Sequence, residues 1–191
     1  MYLITPLKNA DVRNLNLGDV VYISGMIYTA RDKAHQKALA EGRFPGDILG
    51  GVLFHSGPLA KKEKDGWKML AIGPTTSSRM NAIEPAFIEK FGVAAIIGKG
   101  GMDKKVAQAM KGRAVYLAMT GGCAATAASQ IKKVKGVEWL ADLGEPEAVW
   151  VLEAEKLGPL IVAIDAKGNS IYDEVNKKVA SNLERVTNSF K

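Results

Sequence analysis

Cysteine is almost absent from this 191-residue chain: there is one, Cys123, beside two histidines, His35 and His55. A single thiol excludes an intrachain disulfide framework, a cysteine-rich zinc site and an iron–sulfur cluster ligated wholly by this chain. Aromatic residues make up only 7%, with no basic stripe of interleaved aromatics, which argues against nucleic-acid binding. No apolar run reaches the roughly 18 residues of a membrane-spanning helix. The opening MYLITPLKNADVRNL lacks the basic start and apolar stretch of a signal peptide. Internal repeats, low-complexity tracts and long Pro/Ser linkers are missing as well. A single domain over residues 1–191 in a reducing, cytoplasmic setting is the resulting expectation.

The hydrophobic fraction, 47%, is that of an ordinary globular protein, and the net charge of +6 favours anionic partners. Apolar, β-rich runs occur at 20–28, 51–55, 67–72, 93–97, 114–119, 148–153 and 160–164. Helical patterns cover 31–40, 80–90, 104–111 and 124–133, the last ending in a cationic turn suited to a helix C-terminus. Strands alternating with helices predict an α/β core with parallel strands. Towards the C-terminus two apolar runs flank KLGP and a KGN turn follows, which predicts antiparallel hairpins beside that core. LAKKEKDG (59–66) reads as a solvated, charged connection.

Three junctions between a strand and a helix carry unusual chemistry. In Thr29-Ala30-Arg31-Asp32, Thr29 and Asp32 have capping-box spacing, which puts Arg31 in the first helical turn. The helix dipole disfavours a cation there, so Arg31 serves either an anion at the helix start or a local contact with Asp32 or solvent. In Gly73-Pro74-Thr75-Thr76-Ser77-Ser78-Arg79, four successive hydroxyls exceed what a helix cap uses and suit a carboxylate cradle. In Gly98-Lys99-Gly100-Gly101, glycines let the backbone approach a ligand while Lys99 supplies a cation. That loop fits neither the Walker A pattern nor the dinucleotide fingerprint. A fourth junction, Thr120-Gly121-Gly122-Cys123, has glycines and no cation. In a parallel sheet such junctions gather at the carboxyl ends of the strands. Arg31, Arg79 and Lys99, with the hydroxyls of Thr29 and Thr75, would then suit a small ligand bearing two carboxylates. His35, one turn after Arg31, either orients substrate or packs beside the site. His55 reads as a satisfied histidine at a strand end, and Cys123 as a small buried filler or a thiol of lowered pKa at a helix start.

The segments GDVVYISGMIYTARDKAH (18–35), GPTTSSRM (73–80), IGKGGM (97–102), TGG (120–122), EAVWVLE (147–153) and IVAIDAKGNSIY (161–172) together resemble the beta subunit of the iron–sulfur class I fumarase and L-tartrate dehydratase hydro-lyases. The resemblance spans essentially the whole chain. It implies a swivelling β/β/α fold, with a mixed sheet. It further implies a 4Fe-4S cluster held by a partner alpha subunit, a dicarboxylate substrate, and an assembly of two alpha and two beta subunits, or a homodimer of the isolated chain. By matching motifs, Arg31, Arg79, Lys99, Thr76 and Gly100 would bind substrate and Thr75 would be the catalytic base, with no metal ligand on this chain. Cys123 and Ser78 depart from the family pattern, which has Pro or Ala and often Gly there. The activity so implied is fumarate hydration to (S)-malate, with tartrate dehydration as the alternative and a non-catalytic anion-binding module as the reading from another class.

Overall fold

The computed structural model describes residues 1–189. Its strands are β1 (Tyr2–Ile4), β2 (Val20–Thr29), β3 (Val52–Phe54), β4 (Leu59–Glu63), β5 (Gly66–Ala71), β6 (Ala95–Gly98), β7 (Val115–Ala118), β8 (Ile131–Glu138) and β9 (Val149–Ile164). Its helices are α1 (Asn9–Arg13), α2 (Asp32–Glu41), α3 (Glu84–Phe91), α4 (Lys104–Met110), α5 (Ala124–Ser129), α6 (Leu140–Leu143) and α7 (Ile171–Ser189), with a 3-10 turn at Ser77–Met80. The main sheet runs β1-β2-β3-β6-β7-β9-β8, and β2 pairs with β9 as well, so β2, β3, β6, β7 and β9 close a ring. Pairings along β2, β3, β6 and β7 are parallel, whereas β9 is antiparallel to both β2 and β7. The fold is therefore mixed α/β, with a parallel core and antiparallel strands beside it.

Strand alternation divides the core in two. Val52, Phe54, Ile97, Leu117 and Trp150 join one apolar cluster. Their neighbours Leu53, Ile96, Tyr116 and Val149 point the other way, onto Ala34 and Ala38 of α2, Phe87 and Ile88 of α3, and Val106 and Met110 of α4. The helices α2 to α4 thus cover one face of the parallel strands. Because those strands run the same way, Arg31 after β2, His55 after β3 and Lys99 after β6 emerge at one edge of the sheet.

Several expectations are corrected. KLGP is no hairpin turn: β9 runs unbroken through it. Lys156 (φ 53°) and Gly158 (φ 154°) bend the strand, its register against β2 shifts there, and the Gln130 side-chain amide bonds both the N–H and C=O of Gly158. A bulge absorbs residues that would otherwise reverse the chain. The helix expected at 124–133 stops at Ser129, and IKKVKGVE forms β8, whose lysines 132, 133 and 135 are exposed beside half-buried Ile131 and Val134. Residues 59–66 hold β4 and the turn of an antiparallel hairpin with β5, rather than a loop. The pattern at 80–90 splits into the 3-10 turn and α3, because Pro85 in the first turn of α3 has no N–H to continue an earlier helix. After the KGN turn comes α7, which was not anticipated.

Candidate active site

The GPTTSSRM loop leaves β5, outside the main sheet, and reaches the cationic edge by inserting between strand ends. Thr75 N–H donates to the His55 carbonyl (2.7 Å), Lys99 N–H to the Thr75 carbonyl (3.2 Å), and Ser77 N–H to the Lys99 carbonyl (3.1 Å). Gly98 makes room for this crossing, since a Cβ there would lie 1.9 Å from Ser77 Oγ and 2.9 Å from the Tyr116 hydroxyl. Thr75 and Lys99 are half-buried and become direct neighbours through the backbone, while Thr76 and Gly100 are exposed on the same rim. Gly100 has φ +71° with open space around it, so conformation rather than crowding calls for glycine.

Arg79 Nη2 contacts Asp32 Oδ2 at 2.8 Å and donates to Thr75 Oγ1 at 3.1 Å. The helix-starting acid, the arginine and the hydroxyl thus form one cluster. Arg31 is the N-cap of α2 and lies outside its first turn; its side chain makes no cap bond, and Glu147 Oε2 accepts from Lys33 N–H (3.0 Å) instead, so the expected Thr29–Asp32 capping box does not form. Arg31 Nε lies 3.3 Å from Glu147 Oε1, and Nη1 reaches the Pro146 carbonyl at 3.5 Å. Each guanidinium has five donors and spends few of them on these partners, which leaves donors for a ligand carboxylate. Lys99 lies along Gly121 and forms none of the ion pairs seen among the described residues.

Two expected contacts are corrected. Thr29 is fully buried; its hydroxyl donates to the Ala148 carbonyl (3.3 Å) and accepts from Trp150 N–H (2.9 Å), which ties β2 to β9 and faces no ligand. His35 is fully buried too and cannot touch substrate; of its two expected roles, packing beside the site is the one found. His55, just past the end of β3, is fully buried with Nδ1 bonded to Ser77 Oγ and Nε2 turned to Glu84 without a hydrogen bond, and Cys123 is half-buried, packed against the core with its thiol on the Thr120 carbonyl at 2.8 Å. Ser77 drops out of the open cradle, because its side chain is buried against His55 Nδ1 (2.9 Å) and Tyr116 (2.9 Å).

Sequence reasoning missed Glu84. This carboxylate, fully buried, has Oε2 at 3.3 Å from His35 Nε2 and 3.1 Å from His55 Nε2. Both contacts are ionic in distance and bent in angle. Burial alone would raise the Glu84 carboxyl, but the two imidazoles outweigh it and hold it down at about 2. Burial likewise opposes a charge on His35, yet the Glu84 charge and its hydrogen bonds push that ring up. For His55 burial wins and pushes the ring down, helped by the neighbouring His35 charge. These directions favour an ionised Glu84 paired with His35 over a charge on His55. A group whose folded pKa is depressed adds stability above its unfolded pKa and loses it as pH falls. Unfolding stability should therefore drop on acidification from 4.5 towards 2, with a Glu84 share on the order of 3 kcal/mol. Urea titrations at stepped pH check this, and a Glu84→Gln variant should lack that part of the acid limb.

A groove of about 580 Å³ runs between β5, α5 and β8, lined by Trp67, Met69, Ala128 and Val134 among others, and includes neither Thr75, Arg79 nor Lys99. Thr75, Arg79 and Lys99 lie side by side at the cationic edge, and Arg31 stands one residue from the Asp32 that pairs with Arg79.

The family model described as "Fumarase C-terminus" matches residues 2–175, and the chain belongs to that family. A Methanocaldococcus jannaschii protein provisionally named L(+)-tartrate dehydratase subunit beta is 47% identical over 190 residues, 97% of each chain. The Escherichia coli L(+)-tartrate dehydratase subunit beta is 41% identical over 93% of this chain and 88% of its own. A Geobacillus stearothermophilus protein provisionally named fumarate hydratase class I is 40% identical over 97% of this chain, which spans 35% of that longer protein. More particularly, then, the chain is a beta subunit of the class I fumarase and tartrate dehydratase hydro-lyases.

Proposed function

We propose that this chain is the dicarboxylate-binding, proton-transferring half of a two-subunit hydro-lyase that interconverts (S)-malate and fumarate plus water. The observation that carries the reading is the Arg79 guanidinium bridging to Thr75 Oγ1 at 3.1 Å, on a loop bonded to Lys99. Arg31 and Arg79 bind the two substrate carboxylates, and Lys99, Thr76 and the Gly100 backbone line the same face. A proton on the carbon next to a carboxylate is acidified when that carboxylate sits among cations, because they spread the developing negative charge. Thr75 Oγ1 takes that proton as its own hydroxyl proton passes to a carboxylate of the partner, so the hydroxyl is regenerated. An alcohol is a weak base, and the Arg79 hydrogen bond supports the step by stabilising the oxyanion that develops at Oγ1.

The chain is not built to hold an iron–sulfur cluster. Its single thiol, Cys123, is bonded to the Thr120 carbonyl, and four irons need several thiolates. Cluster chemistry is therefore assigned to the alpha subunit, and binding and proton transfer to this one. We expect two copies of each subunit in the assembly and a cytoplasmic location; among the described residues no helix is long and apolar enough to cross a membrane.

A second reading has a specific observation behind it: the relatives at 47% and 41% identity carry the name of tartrate dehydratase. Both substrates are 2-hydroxy dicarboxylates and fit the same three cations. Anaerobic reconstitution with the alpha subunit, followed by malate and tartrate dehydration side by side, separates them. The isolated chain should be inactive and free of iron, and the complex active on one of the two. A complex that dehydrates neither overturns the reading in favour of an anion-binding module.

A further inference from the structure

The buried histidines are unused by the chemistry above, yet each is tied to a loop that carries it. His35 Nδ1–H donates to the Arg31 carbonyl at 2.8 Å. His55 Nδ1 meets Ser77 Oγ at 2.9 Å, and the His55 carbonyl accepts from Thr75 N–H at 2.7 Å. The Tyr116 hydroxyl donates to Ser77 Oγ at 2.9 Å and reaches the Gly100 carbonyl at 3.4 Å. Glu84, placed by the first turn of α3, faces both imidazoles at 3.3 and 3.1 Å. His35, Glu84, His55, Ser77 and Tyr116 are all fully buried.

We propose that His35, Glu84, His55, Ser77 and Tyr116 form one buried polar chain that sets the relative positions of the loops bearing Arg31, Thr75 with Arg79, and Lys99 with Gly100, and so act as positioning residues for the dicarboxylate. The inference rests on the functional reading above for what those loops bind.

Proton accounting fixes the direction of the chain. A carbonyl only accepts, so His35 Nδ1 carries a proton. Its Nε2 faces a carboxylate and carries one as well. His55 Nε2 faces the same oxygen and carries the only proton of a neutral ring, which leaves its Nδ1 to accept from Ser77 O–H. Ser77 Oγ accepts in turn from Tyr116. One cation and one anion cancel, so the chain is neutral beneath three surface cations. The three ligand-type atoms of His35, His55 and Glu84 also lie within 4.8 Å of one another, close enough for a metal ion. A metal would need both Nε2 atoms bare, the opposite proton state.

Packing alone gives no reason for such a chain. A well-packed apolar replacement for a buried ion pair is often as stable or more so. What the polar chain adds is directional: its hydrogen bonds end on the Arg31 and Gly100 carbonyls and on Ser77, alongside the backbone bonds of the Thr75 loop, while the two Glu84–imidazole contacts that join them are ionic. Carboxylate clamps lose effect when misplaced by about 1 Å, a loss of up to roughly 100-fold in rate.

The test uses Ser77→Ala and Tyr116→Phe, which break the chain at neighbouring links without leaving a charge unpaired. In the full wild-type chain, nitrogen-15 spectra of the two imidazoles should show His35 with both ring nitrogens protonated and His55 protonated at Nε2 alone. In the reconstituted complex, each variant should raise KM for L-malate or L-tartrate about tenfold, the weight of roughly one hydrogen bond. Ser77→Thr, which restores the hydroxyl at the same atom, should recover part of that loss. Wild-type KM in Ser77→Ala or Tyr116→Phe, even with lowered melting temperatures, overturns the inference: the residues would then only hold up the core. Bare Nε2 atoms on both rings, with stoichiometric divalent metal, overturn it in favour of a metal site. A wild-type complex that turns over neither substrate overturns the functional reading first, and this inference with it.

Discussion

Thr75→Ala in the reconstituted enzyme is expected to lower kcat by about 10²–10⁴-fold, the range general-base catalysis contributes. The fold should survive, because what holds the loop is the Thr75 backbone, through the His55 carbonyl and Lys99 N–H, and alanine keeps both bonds. The side chain is half-buried and its oxygen has one partner, Arg79 Nη2, which keeps Asp32 when the hydroxyl goes. Melting temperature and assembly with the alpha subunit should therefore match wild type. Thr75→Ser is the informative companion. It retains the oxygen and loses the methyl that helps fix χ1, so it should keep much more activity than alanine. Equal rates for serine and alanine would remove Thr75 from proton transfer and leave it a lining residue. Solvent exchange of the substrate's C3 proton gives a second readout, falling in Thr75→Ala alone if Thr75 carries that proton.

Legibility in the sequence followed locality. The apolar runs that become β3, β6 and β7 are short and almost wholly buried, so strand, parallel direction and common edge could all be read from pattern. The loops bearing Arg31, Thr75, Arg79 and Lys99 stood out by composition, and the structure brings Thr75, Arg79 and Lys99 together. Misreadings arose where one composition serves two geometries. KLGP suits a hairpin and equally a bulge, and only the pairing of β2 along the whole of β9 decides. QIKKVKGVE has lysines for a helix end and alternation for a strand, and contact with β9 selects the strand. The spacing of Arg31 and His35 put them on one helix face, but periodicity does not say that this face turns inward against Phe87. Glu84 left no signal at all. A glutamate before a proline at a helix start is what an exposed helix looks like, and its burial depends on two histidines 29 and 49 residues away in sequence, numbers that follow from positions 84, 55 and 35.

Arg79→Ala should lower kcat/KM by about 10–150-fold, the equivalent of one charge-assisted pairing to a carboxylate. Arg79 sits on the exposed side of the 3-10 turn, so its removal leaves the core intact and frees Asp32 to solvent. Two effects are folded into that loss. Withdrawing a clamp from the substrate carboxylate weakens ground state and transition state together and raises KM. Withdrawing the donor from Thr75 Oγ1 makes the oxyanion harder to reach and lowers kcat. A double-mutant cycle separates them. In the Thr75→Ala background, Arg79→Ala has no hydroxyl left to support, so its kcat effect should vanish and its KM effect persist. Arg79→Lys refines the assignment, since an ammonium restores the charge without the planar fork. If bidentate binding matters, lysine should recover little of KM; if Arg79 acts only as a nearby charge, lysine should recover most of it. Full additivity of the Thr75 and Arg79 losses would mean that the 3.1 Å contact between them carries no catalytic weight, and the proton-transfer role of Thr75 would then need a different activating group.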